Sequence, residues 1–306
     1  MIKNVAILLG HLGDVCLLSQ LSQLNSKEFG LITNRSFVDF ASAYGSFSFV
    51  TDPTSTRWDE VNALDLHNRS CRDSEYRAII QSNLPRIRAT KFRLSWLGVP
   101  GQVIEPRQVE SEPLFSYWGS LLNLSETLEH HGRSHALMPP CRRGISTCRT
   151  ILCLQSTTRH KSLDPIVASK IASELFRLTG GKVTIINGPG EKPEFDSLES
   201  RIPEKTIRSP AEFLEICHRS CTVVSVDSGL RHLAAFAKIP RIVIYGPTSP
   251  RICGSGMGEI PVLPEASCTE CGNTEICTFF KPYSCLSETT GIIEKVTREW
   301  QMLHQK

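Results

Sequence analysis

No stretch of this 306-residue chain approaches the roughly 18 consecutive apolar residues of a membrane span. The apolar run near the N-terminus is too short and too soon interrupted to read as a signal peptide, so the protein is expected in the cytosol. Net charge is only +3, which leaves no strong field for nucleic acid, and no nucleic-acid partner is expected. Tandem repeats and long low-complexity tracts are missing too, which excludes solenoid and fibrous architectures. The dinucleotide fingerprint Gly-x-Gly-x-x-Gly does not follow the first strand-like run, which disfavours a nicotinamide dehydrogenase.

What remains is ordinary globular composition, 40% hydrophobic and 21% charged, in a chain long enough for two domains with separate cores. Short β-type runs alternate with helical patterns, the signature of parallel α/β architecture. In the first half these runs are Val5 to Leu9, Gly30 to Thr33, Phe47 to Val50 and Val61 to Leu66. In the second they recur at Thr150 to Leu154, Val183 to Asn187, Thr222 to Val226 and Ile242 to Tyr245. Between the halves the polar stretch 126–144, with His130-His131-Gly132 and Pro139-Pro140, reads as a linker. The expected division is residues 1–140 and 141–306, two Rossmann-like domains with parallel sheets facing across a cleft.

Two strand-to-helix turns carry the chemistry. In the second half the run Val223 to Val226 enters Asp227-Ser228-Gly229, which opens a helix over Leu230-Arg231-His232-Leu233-Ala234-Ala235. Free backbone N–H groups and the positive helix end are thereby aimed at one spot that favours an anion. Simple capping by Asp227 or Ser228 is the plainer alternative. In the first half the run Val5 to Leu9 enters Gly10-His11-Leu12-Gly13-Asp14, which puts a carboxylate at the C-terminal end of a parallel strand, where open α/β sheets bind ligands. Asp14 is equally readable as a first-turn acid complementing the helix dipole.

Twelve cysteines in a chain expected in the cytosol argue against a disulfide framework. Four of them, Cys268, Cys271, Cys277 and Cys285, are compact enough for a tetrahedral metal but lack paired Cys-x2-Cys doublets, so they read as structural, with zinc the metal they would take. The basic cluster Arg77, Arg86, Arg88, Lys91 and Arg93 reads as a solvated face or as a docking surface for a phosphorylated or anionic-lipid acceptor. From Ile292 to Leu303, helical spacing of Ile293, Val296, Trp300 and Leu303 gives an amphipathic stripe.

In order along the chain stand Leu12-Gly13-Asp14-Val15, Asp65-Leu66-His67-Asn68-Arg69, Thr157-Thr158-Arg159-His160-Lys161, Val226-Asp227-Ser228-Gly229-Leu230-Arg231-His232-Leu233-Ala234-Ala235 and Tyr245-Gly246-Pro247-Thr248. In these motifs the chain resembles the ADP-heptose:lipopolysaccharide heptosyltransferases, glycosyltransferase family nine. The resemblance implies a GT-B fold, an N-terminal domain that holds the acceptor and a C-terminal domain that holds a sugar nucleotide. It implies inverting transfer of heptose from ADP-heptose to a lipopolysaccharide core-type glycolipid, with no metal required and with peripheral contact at the cytoplasmic face of the inner membrane.

Carried over by motif, Asp14 is the general base. Thr157, Thr158, Lys161, Ser228, Gly229 and Leu230 cradle the departing diphosphate, Arg159 competes with Lys161 for it, and Asp227 orders the turn or binds a sugar hydroxyl. His232 faces the donor or packs inside, and Glu191 contacts the nucleoside or merely sits in a surface loop. Gly13, Arg69 and Arg72 fall in the acceptor pocket, and the last helix straps back onto the first domain. Two other readings stay open: a GT-B transferase using another sugar nucleotide, and a catalytically silent relative that binds a nucleotide or glycan.

Overall fold

In a computed structural model of the chain the described residues are 5–9, 12–24, 29–61, 64–67, 74–83, 92–94, 149–189, 191, 201–254, 258–266, 269–272, 285–287 and 291–304. The chain forms two compact units. The expected division after residue 140 lies outside the described residues, as do the linker stretch 126–144 and the acceptor candidates Arg69 and Arg72. Among the described residues no helix is long and apolar enough to cross a membrane.

The first unit is built on β1 (Val5–Leu8), α1 (Leu12–Leu24), β2 (Gly30–Thr33), α2 (Arg35–Tyr44), β3 (Val50–Thr51), β4 (Leu64–His67), α3 (Ser74–Asn83) and β5 (Phe92–Leu94). Its parallel sheet has the order β3-β2-β1-β4-β5. β1 and β2 are buried at every position, as strands covered on both faces must be. Two expected strands are displaced. The run from Phe47 pairs only at Val50–Thr51, and the run from Val61 pairs at Leu64–His67, after a single 3-10 turn at Trp58–Glu60.

The second unit contains β6 (Thr150–Cys153), α4 (Pro165–Leu178), β7 (Val183–Asn187), β8 (Glu204–Thr206), α5 (Pro210–His218), β9 (Thr222–Val226), α6 (Gly229–Phe236), β10 (Arg241–Ile244), a short α7 (Pro250–Cys253), β11 (Glu259–Val262) and α8 (Ile292–His304). Its sheet is parallel throughout, in the order β11-β10-β9-β6-β7-β8.

Local chemistry sets the helix limits. Asp164 caps α4 by accepting from Ile166 N at 2.8 Å, with Pro165 just inside. That helix ends at Gly180-Gly181, both at positive φ, where Gly181 N donates to Phe176 O. Ser209 caps α5 through Glu212 N, and the Glu212 carboxylate returns to Arg208 N at 2.8 Å.

The stripe on α8 falls at Ile292, Val296, Trp300 and His304, all buried. It packs on α4, β10 and β11 of its own unit. Trp300 Nε1 donates to Thr150 Oγ1 at 3.0 Å, and His304 Nε2 meets Thr222 Oγ1 at 2.9 Å. Both threonines begin their strands, so α8 is pinned at the N-terminal edge of the sheet. Its C-terminal edge is left for the groups described next.

Candidate functional site

The loops that follow β6, β9 and β10 share the C-terminal edge of the second sheet. The register Leu152↔Val224 with Ile244↔Val226, continued along the strands, sets Gln155, Asp227 and Tyr245 in one row. After β6 the chain closes a tight loop. Lys161 N donates to Thr158 O and Ser162 N to Arg159 O, while Ser162 Oγ accepts from Ser156 N at 3.0 Å. Buried Ser162 and Leu163 anchor this loop, which leaves Thr157 and Arg159 exposed and Thr158 and Lys161 half-buried.

After β9, Ser228 takes the extended cap conformation at the start of α6 without a side-chain capping bond. Its buried hydroxyl finds no partner among the described residues. The first N–H groups of the helix therefore keep their capacity for an anion at the end where the helix dipole is positive.

One contact joins the two loops. Lys161 Nζ lies 2.8 Å from Asp227 Oδ2, and the other carboxylate oxygen of Asp227 lies 2.6 Å from Arg231 Nε. Burial pushes the Asp227 carboxyl up, but the two cations outweigh burial and hold it well below the usual carboxylate range. It is an anion at neutral pH. His232, one position beyond Arg231, is only 7% exposed, and burial together with the Arg231 charge drives its imidazole well below the usual range. It is neutral, and its Nδ1 has no partner among the described residues.

Sequence reasoning passed over the group behind Asp227. Arg231 also reaches Glu259 Oε2 at 3.2 Å and donates to Cys253 O, with its guanidinium 5.5 Å from the centre of the Tyr245 ring. Glu259 accepts from Tyr245 OH, and Arg241 Nε is 3.4 Å from its Oε2. The available signal was the i,i+4 spacing of Asp227 and Arg231 across the helix start.

Other expected residues fall as follows. Glu191 folds onto its own turn, its carboxylate accepting from Gly188 N at 2.6 Å, and burial raises its pKa. Asp14 is half-buried in the first turn of α1, just past β1, with Gly13 buried beside it. Of the four C-terminal cysteines, Cys268 and Cys277 lie outside the described residues, Cys271 is exposed and Cys285 is buried.

The Tyr-Gly-Pro-Thr loop binds the cysteine-bearing segment directly. Glu270 N donates to Gly246 O at 2.9 Å and Gly272 N to Pro247 O at 2.7 Å. A Cβ on Gly246 would sit 2.9 Å from Leu286 and 3.1 Å from Cys285 Sγ, so glycine is needed there for close approach. Among the described residues no group of three His, Cys, Asp or Glu side chains could hold a metal ion.

Residues 211–277, which include β9, α6 and the loop after β10, match the family profile of glycosyltransferase family 9 (heptosyltransferase). A comparison with curated proteins gives no match. Among solved structures, a family 9 glycosyl transferase from Veillonella parvula is 14% identical with a TM-score of 0.68, covering 99% of this chain and 97% of that one. The ADP-heptose lps heptosyltransferase II of E. coli is 11% identical with a TM-score of 0.61 and 99% coverage of both. The dodecameric iron-containing heptosyltransferase TibC, solved with ADP-D-beta-D-heptose, is 15% identical with a TM-score of 0.65, covering 99% of this chain and 77% of that one. The fold expected from the motifs is the fold observed, that of the GT-B glycosyltransferases.

Proposed function

From a chain that carries a family 9 glycosyltransferase segment on the fold of that family's solved enzymes, we propose inverting transfer of a sugar from a nucleoside diphosphate donor, ADP-heptose, to a hydroxyl of a lipopolysaccharide core-type glycolipid. One observation carries the reading. The uncapped start of α6 and the loop after β6 converge through Lys161 and Asp227 on the C-terminal edge of the sheet, and this arrangement suits a diphosphate. That two proteins of this fold were solved with ADP or ADP-heptose supports adenosine as the nucleoside.

In the reaction the acceptor oxygen bonds to the anomeric carbon as its proton passes to Asp14. The bond from that carbon to the diphosphate breaks, and ADP leaves with the electron pair. A positioned carboxylate base contributes about 10²–10⁴-fold. Backbone N–H groups of Ser228, Gly229 and Leu230, with Thr157, Thr158 and Lys161, stabilise the charge that develops on the leaving group. Those groups supply the electrophilic help that a divalent ion gives elsewhere, and metal-independent transfer is part of the proposal. His232, neutral and with no partner on Nδ1 among the described residues, suits hydrogen bonding to the donor. Arg69 and Arg72 are the proposed partners of acceptor anions, and peripheral contact with the inner face of the membrane brings the glycolipid within reach.

The test is calorimetric titration of the full chain with ADP, ADP-heptose, UDP-glucose and GDP-mannose, without added metal. Preference for ADP and ADP-heptose is expected. A uridine or guanosine preference would replace the donor, and no binding by any of the four would overturn the transferase reading.

A further inference from the structure

We infer that Arg231 is a positioning residue that carries the charge of Asp227, so that Lys161 remains an exchangeable cation for an anionic phosphate ligand. The inference rests on the donor-site reading above but concerns a residue to which that reading gives no role.

The argument is a count of charges by depth. Arg231 and Arg241 are each 1% exposed, and Asp227 and Glu259 are 6% and 4% exposed in their side chains. Among the described side chains two buried cations therefore face two buried anions, and the four charges of this set sum to zero. Lys161, 21% exposed and on a separate loop, is a third cation added at its rim.

Because Arg231 holds Oδ1 at 2.6 Å from within the same helix start, Asp227 does not become an unpaired buried charge when Lys161 lets go of Oδ2. Arg231 is itself fixed by Glu259, Cys253 O and the Tyr245 ring, so it cannot follow the ligand. Two cations on one carboxylate also repel each other, which loosens the more exposed of the pair. Among the described residues the cluster thus presents one spare positive charge at the start of α6, where the Ser228 hydroxyl has no described partner. Without Arg231 the only cation described on Asp227 would be Lys161, and the spare charge would vanish.

Two readouts test this, and the first needs no ligand. An amine acylates only as the free base and within reach of the reagent, and locking it on a carboxylate that has lost its other cation works against both conditions. Mass-spectrometric rates of Lys161 acetylation by an N-hydroxysuccinimide ester should be about tenfold slower in Arg231→Gln than in wild type, and near wild type in Arg231→Lys, which keeps the charge. If melting shows Arg231→Gln to be unfolded, Arg231→Gln combined with Glu259→Gln removes one charge of each sign and should show the same slowing. Unfolding alone would speed labelling. Equal rates in the folded variants and wild type would overturn the inference.

The second readout is ADP binding. Arg231→Gln should weaken it as much as Lys161→Ala does, because either change removes the spare positive charge. Unchanged ADP affinity in a folded Arg231→Gln would overturn the inference. Failure of the wild type to bind ADP would retire the donor reading, and the labelling rates would still decide the role of Arg231.

Discussion

Lys161→Ala separates ligand binding from folding in one variant. A charge-assisted hydrogen bond to a phosphate oxygen contributes about 1.5–3 kcal/mol, so its loss should weaken ADP by roughly 10- to 150-fold. The fold should suffer less. Breaking a buried ion pair ordinarily costs about 3–5 kcal/mol because a charge is stranded, yet Asp227 keeps Arg231 at 2.6 Å and Lys161 is partly exposed. A stability loss of about 1–2 kcal/mol is therefore the upper range expected for removing this single bond. Titration calorimetry with ADP at low and high salt, beside urea unfolding of the same samples, reads both quantities. The variant should also show a shallower salt dependence of ADP affinity, because one screened charge has gone. Unchanged ADP affinity in a folded variant would refute the placement of Lys161 at the phosphates.

Asp14→Asn should lower turnover by about 10²–10⁴-fold while ADP binding stays near wild type, because in the proposed reaction the carboxylate takes the acceptor proton and does not touch the nucleotide; transfer kinetics with parallel titrations check it. Glu259→Ala takes a buried carboxylate away from both Arg231 and Arg241 and removes the acceptor of Tyr245 OH, so a loss of about 3–5 kcal/mol is expected in urea unfolding. Stability should also fall in two acid steps. His232 and His304 are held below the usual imidazole range by burial, so the unfolded chain binds protons that the folded chain refuses. Their contribution is complete above about pH 6.5 and declines as pH falls below it, by up to about 1.4 kcal/mol per unit for each group. Asp227, depressed by Arg231 and Lys161, contributes fully above about pH 4 and loses that contribution only in stronger acid. Melting temperatures from pH 8 to 3 check both, and a flat profile between 7 and 5 would contradict the burial of the two imidazoles.

Central strands were readable because burial on both faces leaves an unbroken apolar run, as in Val5 to Leu8 and Thr222 to Val226. Edge strands were not. β8, Glu204-Lys205-Thr206, is exposed at all three residues, so no periodicity marks it; it is held to β7 by backbone pairing and by Asn187 Nδ2 donating to Glu204 Oε1 at 2.6 Å. β11 contains Pro261, which argues against a central strand and is tolerated here because β11 lies at the sheet edge. β3 is two residues long, and the run read at Phe47 to Val50 overlaps it at one position.

The same contrast governs the site. Asp227-Ser228-Gly229 was legible because a strand that stops at a small, cap-forming turn fixes where helix N–H groups point, and those signals are contiguous. The charge set behind it joins Lys161, Asp227, Arg231, Arg241 and Glu259 from four separate segments, and no contiguous motif ties them together. Only the fold shows that α6 turns Arg231 inward against Tyr245. The consequence is chemical. An aspartate at the mouth of an anion site is unfavourable when its charge is counted alone. Counted with the guanidinium four residues later, it is a neutral anchor that holds Lys161 in place without consuming its charge.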